Sequence, residues 1–312
     1  MQKGIAMNRT VAVIGSANAD LVVEVERRPV GGETISGSDL VTSPGGKGAN
    51  QAAAAGRAGG EVTFVGCVGA DASGDLLVDS LTRAGVATDA LRRVDAPTGN
   101  ALIVVTPDGE NSIIVSPGAN AHVTPALVDD AADAWRGAAV VVLQLEIPLE
   151  TVRHVAVAAS GAGSRVMVNL APAASVPAEV IAAADPLVVN ESEAAFLLGV
   201  EPDALPADPG AVVRALFGLG ARSVVVTLGA AGAWVAEESR DAVHVPALKV
   251  TPVDTTGAGD GFVGAMAARL AAGDSLVAAA RVATRFAGLA VQRRGAQDSY
   301  PSPGELAGEA AD

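Results

Sequence analysis

The chain has 312 residues, of which 50% are hydrophobic and 3% aromatic, and this fits one large α/β domain with an aliphatic core. Its formal net charge of -14 disfavours general nucleic-acid binding, because proteins of that class usually present a basic face. The single cysteine, Cys67, excludes an intrachain disulfide, and the lack of an apolar leader or a membrane-length apolar run predicts a cytoplasmic protein with no membrane partner.

Six short apolar runs alternate with Ala-rich segments of helical spacing. Each run is rich in β-branched residues: Val11–Ile14, Val62–Val65, Val140–Leu143, Val166–Asn169, Leu187–Asn190 and Val224–Leu228. This alternation predicts an α/β fold, a doubly wound and mostly parallel sheet flanked by helices, in a single domain over residues 1–312. Ligands of such sheets bind beyond the carboxyl ends of the strands.

Two segments break this alternation and predict a small β-sheet. Residues 21–40 read as strand and turn without a helix, and Leu102–Val105 and Ile113–Val115 flank Asp108-Gly109, a hairpin signal. We expect lid segments at about 21–43 and 98–117 that cover the strand-end site. Residues 202–210 are rich in proline and are expected to form a loop.

Polar residues follow the first run. Asn18 and Asp20 alternate, so an extended chain would place both on one side, where an amide and a carboxylate suit adjacent sugar hydroxyls. The alternative is an ordinary turn after a strand. Further on, Gly45-Gly46 opens an Ala-rich helix whose first turn carries Lys47 and Asn50 on one face. That pair is either a group of hydroxyl donors or a helix start with a surface lysine.

Glycines also precede a helical stretch near the carboxyl end. Gly257-Ala258-Gly259-Asp260 would lie at the amino end of this helix, where unpaired N–H groups and the helix dipole form an anion site. Asp260 could then accept a proton from a hydroxyl nucleophile, or could be a first-turn aspartate that serves the dipole. The glycines at 45–48 do not fit the P-loop motif, and the first strand is not followed by the Rossmann fingerprint.

In this order, the motifs resemble those of the ribokinase family of sugar and nucleoside kinases. The matching segments are GSANAD at 15–20, GGETISG at 31–37, GGKGANQA at 45–52, GAN at 118–120, QLE at 144–146, NLAPA at 169–173, NESEA at 190–194, TLGAAG at 227–232, DTTGAGD at 254–260 and RRGAQ at 293–297. The resemblance implies ATP-dependent phosphorylation of D-ribose at the 5-hydroxyl. It also implies a homodimer that pairs through the lid.

The resemblance implies a role for each matching position. Asp260 would be the catalytic base, and the backbone of Gly257, Ala258, Gly259 and Asp260 would form an anion hole. The sugar would be held by Asn18, Asp20, Gly46, Lys47, Gly48, Ala49, Asn50, Glu146 and Asp260. ATP would contact Asn190, Thr227, Leu228, Gly229, Ala230, Ala231, Gly232, Gly259, Asp260 and Thr284, the last at a position where relatives usually carry His or Asn.

Two cations complete the implied site. Asn190 and Glu193 would organise Mg²⁺ through water, although the same pair also predicts a capping box at a helix start. A potassium site is implied at Asp254, Thr256, Ala290, Arg293, Gly295 and Ser299.

Three rival functions stay open. The nearest is a kinase for another sugar or a nucleoside of the same family, such as fructose, deoxyribose or adenosine. The scarcity of aromatic residues weakly disfavours a nucleoside pocket. A non-catalytic sugar or nucleotide sensor would have no need of the base at Asp260, and a nicotinamide-dependent oxidoreductase lacks its fingerprint.

Overall fold

The structure is a computed structural model that describes residues 9–108, 111–206, 208–238 and 240–308. The strands are β1 Thr10–Ile14, β2 Asn18–Glu24, β3 Val41–Gly45, β4 Glu61–Gly69, β5 Val86–Ala87, β6 Leu91–Val94, β7 Gly99–Val105, β8 Asn111–Ser116, β9 Val140–Leu143, β10 Arg165–Asn169, β11 Ala184–Asn190, β12 Ser223–Thr227, β13 Ala233–Glu237 and β14 Val243–Val245. The α-helices are α1 Lys47–Arg57, α2 Ala72–Arg83, α3 Pro125–Asp130, α4 Ala132–Trp135, α5 Leu149–Gly161, α6 Ala178–Ala183, α7 Glu191–Leu198, α8 Pro209–Phe217, α9 Ala258–Ala271, α10 Leu276–Ala290 and α11 Pro303–Ala307.

The main sheet has the strand order β14-β13-β12-β11-β10-β9-β1-β4-β5, with β6 also paired to β4. All neighbours from β5 to β12 pair in parallel, and only β13 and β14 are antiparallel to their neighbours. All six runs predicted as strands lie in the parallel part of this sheet. The prediction of a doubly wound, mostly parallel sheet is confirmed.

Helices bury both faces of the sheet, which is why its strands read as continuous apolar runs. In β1, Val11 and Val13 belong to the hydrophobic cluster that includes residues of α1, α9 and α10. Ala12 and Ile14, whose side chains point the opposite way, belong to the cluster beneath α5 and α8. The two sides of one strand thus lie in two separate cores.

A second, smaller sheet has the order β3-β2-β7-β8. Its β7 and β8 are antiparallel, with Ile103 opposite Ile113, so the hairpin expected around residue 108 is confirmed, although Gly109 lies outside the described residues. β2 begins at Asn18 and β3 ends at Gly45, so this part of the sheet extends beyond the predicted lid segment 21–43 at both ends. We call it the small sheet.

Two local predictions need correction. The sequence suggests that the strand from Val140 continues to Leu145 and that Glu146 ends it, but β9 ends at Leu143 and Glu146 lies in the loop that follows. Residues 202–210 are not only loop, because Pro202–Ala204 form a 3₁₀ turn and α8 begins at Pro209, capped by the side chain of Asp208. Among the described residues, no helix is both long and apolar enough to cross a membrane.

Candidate active site

The amino end of α1 lies against the segment between β1 and β2. Gly46, the residue before the helix, has φ 86, and a Cβ there would lie 2.6 Å from the backbone nitrogen of Asn18. A Cβ at Gly48 would lie 2.6 Å from the nitrogen of Ser16. The glycines of this motif therefore allow two backbone segments to approach closely, and this brings the polar residues of both together.

Asn18 and Asp20 lie on β2, and their alternation puts both on the same side of the small sheet, as predicted. Asn18 is buried, and its Oδ1 accepts a hydrogen bond from Asn120 Nδ2 at 2.7 Å. Asn120 Oδ1 in turn accepts from the N–H of Ala17 at 2.9 Å. Asn120, from the GAN segment, was assigned no role from the sequence, yet it fixes how Asn18 faces the site.

Asp20 has a strongly perturbed acidity. The pKa of its carboxyl is raised from 3.8 to about 7, mainly by burial and then by the neighbouring carboxylates of Glu146 and Asp260, while Lys47 opposes them. Lys47 shows the complementary effect: burial lowers the pKa of its amine, but the carboxylates around it, led by Asp260, outweigh burial and raise it. Three acids and one amine thus share a small volume, a pattern common at functional sites.

Glu146 is held by the first turn of α1 and the loop after β1. Its Oε2 accepts from the hydroxyl of Ser16 at 2.6 Å and from the backbone N–H of Lys47 at 3.0 Å. Ser16 also accepts from the N–H of Gly48 at 3.3 Å. Ser16 lies in the GSANAD motif but was assigned no role from the sequence; it is fully buried and orients this carboxylate.

Asp260 lies in the first turn of α9, as predicted. The helix is preceded by Gly257 in the left-handed conformation, with φ 70. The N–H of Ala258 donates to the carbonyl of Thr255 at 3.2 Å, so it is already used within the loop. The N–H groups of Gly259 and Asp260 have no intrahelical acceptor, because they belong to the first turn. Of the implied anion-hole amides, these two point out of the helix end.

The carboxylate of Asp260 is bound by amides from α1. Its Oδ2 accepts from Asn50 Nδ2 at 3.0 Å and its Oδ1 from Gln51 Nε2 at 2.9 Å. This contact joins the glycine-rich motif near the amino end of the chain to the one near the carboxyl end. Asp260 therefore lies beside a group of polar side chains, which comprises Asn18, Asp20, Lys47, Asn50 and Glu146.

A cavity of ≈ 410 Å³ opens beside the amino end of α9. It is large enough for a small-molecule ligand. Seven of the residues implied for ATP line it: Asn190, Thr227, Gly229, Ala230, Gly232, Gly259 and Thr284. Leu228, Ala231 and Asp260 do not. Leu228 packs against the hydrophobic cluster beneath α5 and α8, and the carbonyl of Ala231 contacts Nε2 of His244 at 2.8 Å.

Besides these seven residues, Glu191, Thr255, Ala258 and Phe262 line the cavity. The remainder of the wall is aliphatic and was not selected from the sequence. It comes from the segment before α9 and from the end of α10 and the residue after it: Ala247, Leu248, Val250, Pro252, Ala287, Gly288 and Val291. Such residues read as ordinary core in a sequence. The glycine at 288 is the one visible signal, since a Cβ there would lie 2.7 Å from Cβ of Leu248.

Asn190 and Glu193 form the capping box of α7, so that reading of the motif is confirmed. Asn190 Oδ1 accepts from the N–H of Glu193, and Glu193 Oε2 accepts from the N–H of Asn190, both at 2.8 Å. No cluster of three metal-ligating side chains occurs among the described residues. One oxygen of each side chain is thus already used in the cap. The pair therefore suits contact with Mg²⁺ through water, since this ion needs few direct protein ligands.

The residues implied for potassium lie in two adjacent segments. Asp254 joins them, because its Oδ1 accepts from the N–H of Thr256 at 2.9 Å and its Oδ2 from the N–H of Gly295 at 2.8 Å. Burial alone would raise the pKa of Asp254, but these hydrogen bonds outweigh it and lower the pKa. Ser299 donates to the carbonyl of Ala296 at 2.7 Å.

Two of the six implied residues are used elsewhere. The Arg293 side chain pairs with Glu305 at the start of α11. The carbonyl of Ala290 accepts from the N–H of Arg293 at 3.0 Å, as a helix end. For Arg293 only the backbone is therefore available to a cation, and for Ala290 only the second lone pair of its carbonyl oxygen.

Comparison with known proteins agrees with this geometry. Residues 8–303 match the pfkB family of carbohydrate kinases. The ribokinase of Bacillus subtilis (strain 168) is 38% identical over 298 residues, which cover 96% of this chain and 98% of that protein. The deoxyribokinase of Salmonella typhi is 36% identical over 295 residues, covering 94% and 95%.

A solved structure, Arabidopsis thaliana ribokinase complexed with ribose and ATP, has a TM-score of 0.90 to this chain. It is 36% identical in sequence, and the match covers 97% of this chain and 98% of that one. The chain belongs to the pfkB family of carbohydrate kinases, and it is a sugar kinase.

Proposed function

We propose that this protein transfers the γ-phosphoryl group of ATP to the 5-hydroxyl of D-ribose, with Asp260 as the catalytic base. One observation carries the proposal. The carboxylate of Asp260 contacts Asn50 in the group of polar side chains described above, which we call the polar pocket. Its neighbour Gly259 lines the cavity of ≈ 410 Å³, which we call the large cavity. A base at the boundary of two pockets can reach a hydroxyl held in one and a phosphate held in the other. The relatives that phosphorylate ribose or deoxyribose support the choice of acceptor.

The polar pocket holds the sugar in this proposal. The small sheet contributes Asp20 and Asn18, α1 contributes Lys47 and Asn50, and the loop after β9 contributes Glu146. Hydroxyls can therefore meet both carboxylate acceptors and amide or amine donors. Asp260 then removes the proton of the 5-hydroxyl as the new P–O bond forms. Closure of the small sheet over this pocket would exclude water, which otherwise competes as the acceptor.

The large cavity holds the nucleotide, with its phosphates directed at the amino end of α9. There the N–H groups of Gly259 and Asp260, together with the helix dipole, stabilise negative charge on the transferred group. Mg²⁺ would neutralise the phosphates when bound, and Asn190 and Glu193 would hold its waters. A potassium ion at the carbonyls near Asp254 would stabilise the loop that precedes α9.

The test combines one substitution with a substrate series. Asp260→Asn keeps the shape of the side chain and its place beside Asn50, so ribose binding measured by calorimetry should persist, while turnover falls by about 10²–10⁴-fold. ADP release is measured with ribose, deoxyribose, fructose and adenosine, each in potassium and in sodium. Ribose-dependent release that potassium increases supports the proposal.

Four results would contradict it. Turnover of Asp260→Asn comparable to the parent would remove Asp260 as the base. Release with adenosine alone would show a nucleoside kinase, and release with fructose or deoxyribose alone would assign another sugar. Binding of ribose and ATP without release in the parent protein would favour a sensor.

We further propose that two copies pair through the small sheet. Its strands expose apolar side chains that a monomer would leave in water, with Ile114 66% and Val41 59% exposed. Light scattering should give twice the mass of one chain, and Ile114→Lys should reduce it to one. A monomeric parent protein would contradict the proposal.

A further inference from the structure

Two hydrogen-bonded chains of side-chain amides end on the carboxylate of Asp260. Gln51 reaches its Oδ1 and Asn50 its Oδ2, at 2.9 and 3.0 Å. Both donors lie near the amino end of α1, side by side in the sequence, and both are buried. The proposed reaction uses Asn50 for the sugar but gives no role to Gln51 or to the groups behind the pair.

The first chain runs through Gln51 to the carboxyl ends of β9 and β10. Gln51 Oε1 accepts from Gln144 Nε2 at 2.7 Å, and Gln51 Nε2 also donates to Asn169 Oδ1 at 2.9 Å. Gln51 and Gln144 are both fully buried. The oxygen of Gln144 faces Gly15, where a Cβ would overlap it, so the glycine makes room for this orientation.

The second chain runs through Asn50 to α2. Asn50 Oδ1 accepts from Gln297 Nε2 at 3.0 Å, and Gln297 Oε1 accepts from the hydroxyl of Ser80 at 2.7 Å. Gln297 and Ser80 are 5% and 7% exposed, so these hydrogen bonds lie in a low-dielectric interior where they are strong. Gln297 comes from the same loop as the implied potassium residues.

The direction of both chains follows from their common end. An ionised carboxylate only accepts, so Asn50 and Gln51 must each turn an NH₂ group toward Asp260. Each then turns its carbonyl oxygen away and needs a donor there, which Gln297 and Gln144 supply. The distant amides therefore fix which end of the nearer amides faces the base.

We propose that Gln51, Gln144 and Gln297 are positioning residues that hold the carboxylate of Asp260 in a fixed orientation. With one amide donor on each oxygen, the remaining lone pairs are the ones available to the sugar hydroxyl. The inference rests on the proposed function of Asp260 as the base. It adds that a residue which touches neither the carboxylate nor the sugar, Gln297, controls the reaction through Asn50.

The test uses two neutral substitutions, Gln51→Met and Gln297→Met, which remove the donors and add no charge. The control is Thr151→Val, which removes the buried hydrogen bond from Thr151 to the carbonyl of Val123, in α5 on the other side of the sheet. For each variant, kcat, KM for ribose, the pH profile of kcat/KM, ribose affinity by calorimetry and urea unfolding are measured.

For Gln51→Met we expect kcat to fall about 10–100-fold, part of the effect of a positioned base. The acid limb of its pH profile of kcat/KM should move to higher pH, because the carboxylate of Asp260 loses one hydrogen-bond donor. Gln297→Met should also lower kcat and move the acid limb to higher pH, but by smaller amounts. Its ribose affinity should change less than its kcat. Thr151→Val should lose stability with an unchanged pH profile.

A Gln297→Met profile that matches the Thr151→Val control would overturn the inference, even if Gln51→Met fails to fold. That failure would be distinct from failure of the proposed function. Asp260→Asn reports on the base itself, so an inactive Asp260→Asn with an unaffected Gln297→Met would keep the base and remove the positioning chain.

Discussion

Replacing Asp20 by asparagine should stabilise the sugar-free protein at neutral pH while weakening its hold on the sugar. The pKa of Asp20 is raised from 3.8 to about 7, first by burial and then by Glu146 and Asp260. Between about pH 4 and 7 the unfolded chain releases this proton and the native protein keeps it. Since the native state binds more protons, the free energy of unfolding falls as pH rises through this window.

The magnitude follows from the size of the shift. Each pKa unit corresponds to 1.36 kcal/mol, so ionised Asp20 costs the folded protein up to about 4 kcal/mol above pH 7 and nothing below pH 4. The amide side chain of the variant would carry no charge at any pH and would escape this cost. The difference in unfolding free energy between Asp20→Asn and the parent should therefore grow from near zero at pH 4 to its full value at pH 8.

Urea unfolding at a series of pH values between 4 and 8, without sugar, measures this difference. Asp79→Asn, at an exposed position of α2, is the matched control and should follow the parent at every pH. Parallel curves for Asp20→Asn and the parent would refute the reasoning, because they would mean that burial does not disfavour the charge. Such a cost is typical of residues kept for binding at the expense of stability.

The remaining predictions concern the loops around the site. Tyr300→Phe removes the hydroxyl that donates to the carbonyl of Gly257 at 2.9 Å; urea unfolding should show a loss of about 1 kcal/mol, and steady-state kinetics a severalfold lower kcat with unchanged ribose affinity. Gly45→Ala would place a Cβ in the carboxylate of Asp20, so calorimetry should show about tenfold weaker ribose binding or worse, and an unchanged affinity would count against that carboxylate as a sugar ligand. Asp254→Asn leaves one of two backbone N–H groups without its acceptor, so ADP release should lose its preference for potassium over sodium; a retained preference would place the cation elsewhere.

Much of the fold could be predicted because buried parallel strands leave a plain signal. Val140–Leu143 is apolar throughout since helices cover both faces, and its bounds agree with the structure. The pairing of the small sheet could not be derived, because β2 lies beside β7, about 80 residues away in the chain, and no local pattern records that contact. The hairpin of β7 and β8 was predicted because its signal is local.

The residues of the site fall into the same two groups, those with a local sequence signal and those without one. Asp260 and the glycines before it were visible because helix starts and close approaches require particular residues. Gln51, Gln297 and Ser16 were not visible, since a single amide or hydroxyl becomes meaningful only through partners far away in the sequence. The aliphatic wall around Leu248 was missed because a nucleotide cavity and a core use the same side chains.

The distribution of charge around Lys47 explains how an acidic protein can hold an anionic cosubstrate. The carboxylates that raise the pKa of its amine are those of Asp260, Glu146, Glu193 and Asp20. Two of them, Glu146 and Asp20, belong to the proposed sugar pocket, where neutral hydroxyls need acceptors. The nucleotide side offers Gly259, Gly229 and aliphatic residues instead of acids, with the exception of Glu191 at the start of α7. Phosphates can therefore approach backbone N–H groups and a helix dipole without facing the acids directly. Asp260, the proposed base, lies where the two sides meet, and there its carboxylate accepts from the amides of Asn50 and Gln51 and attracts the amine of Lys47.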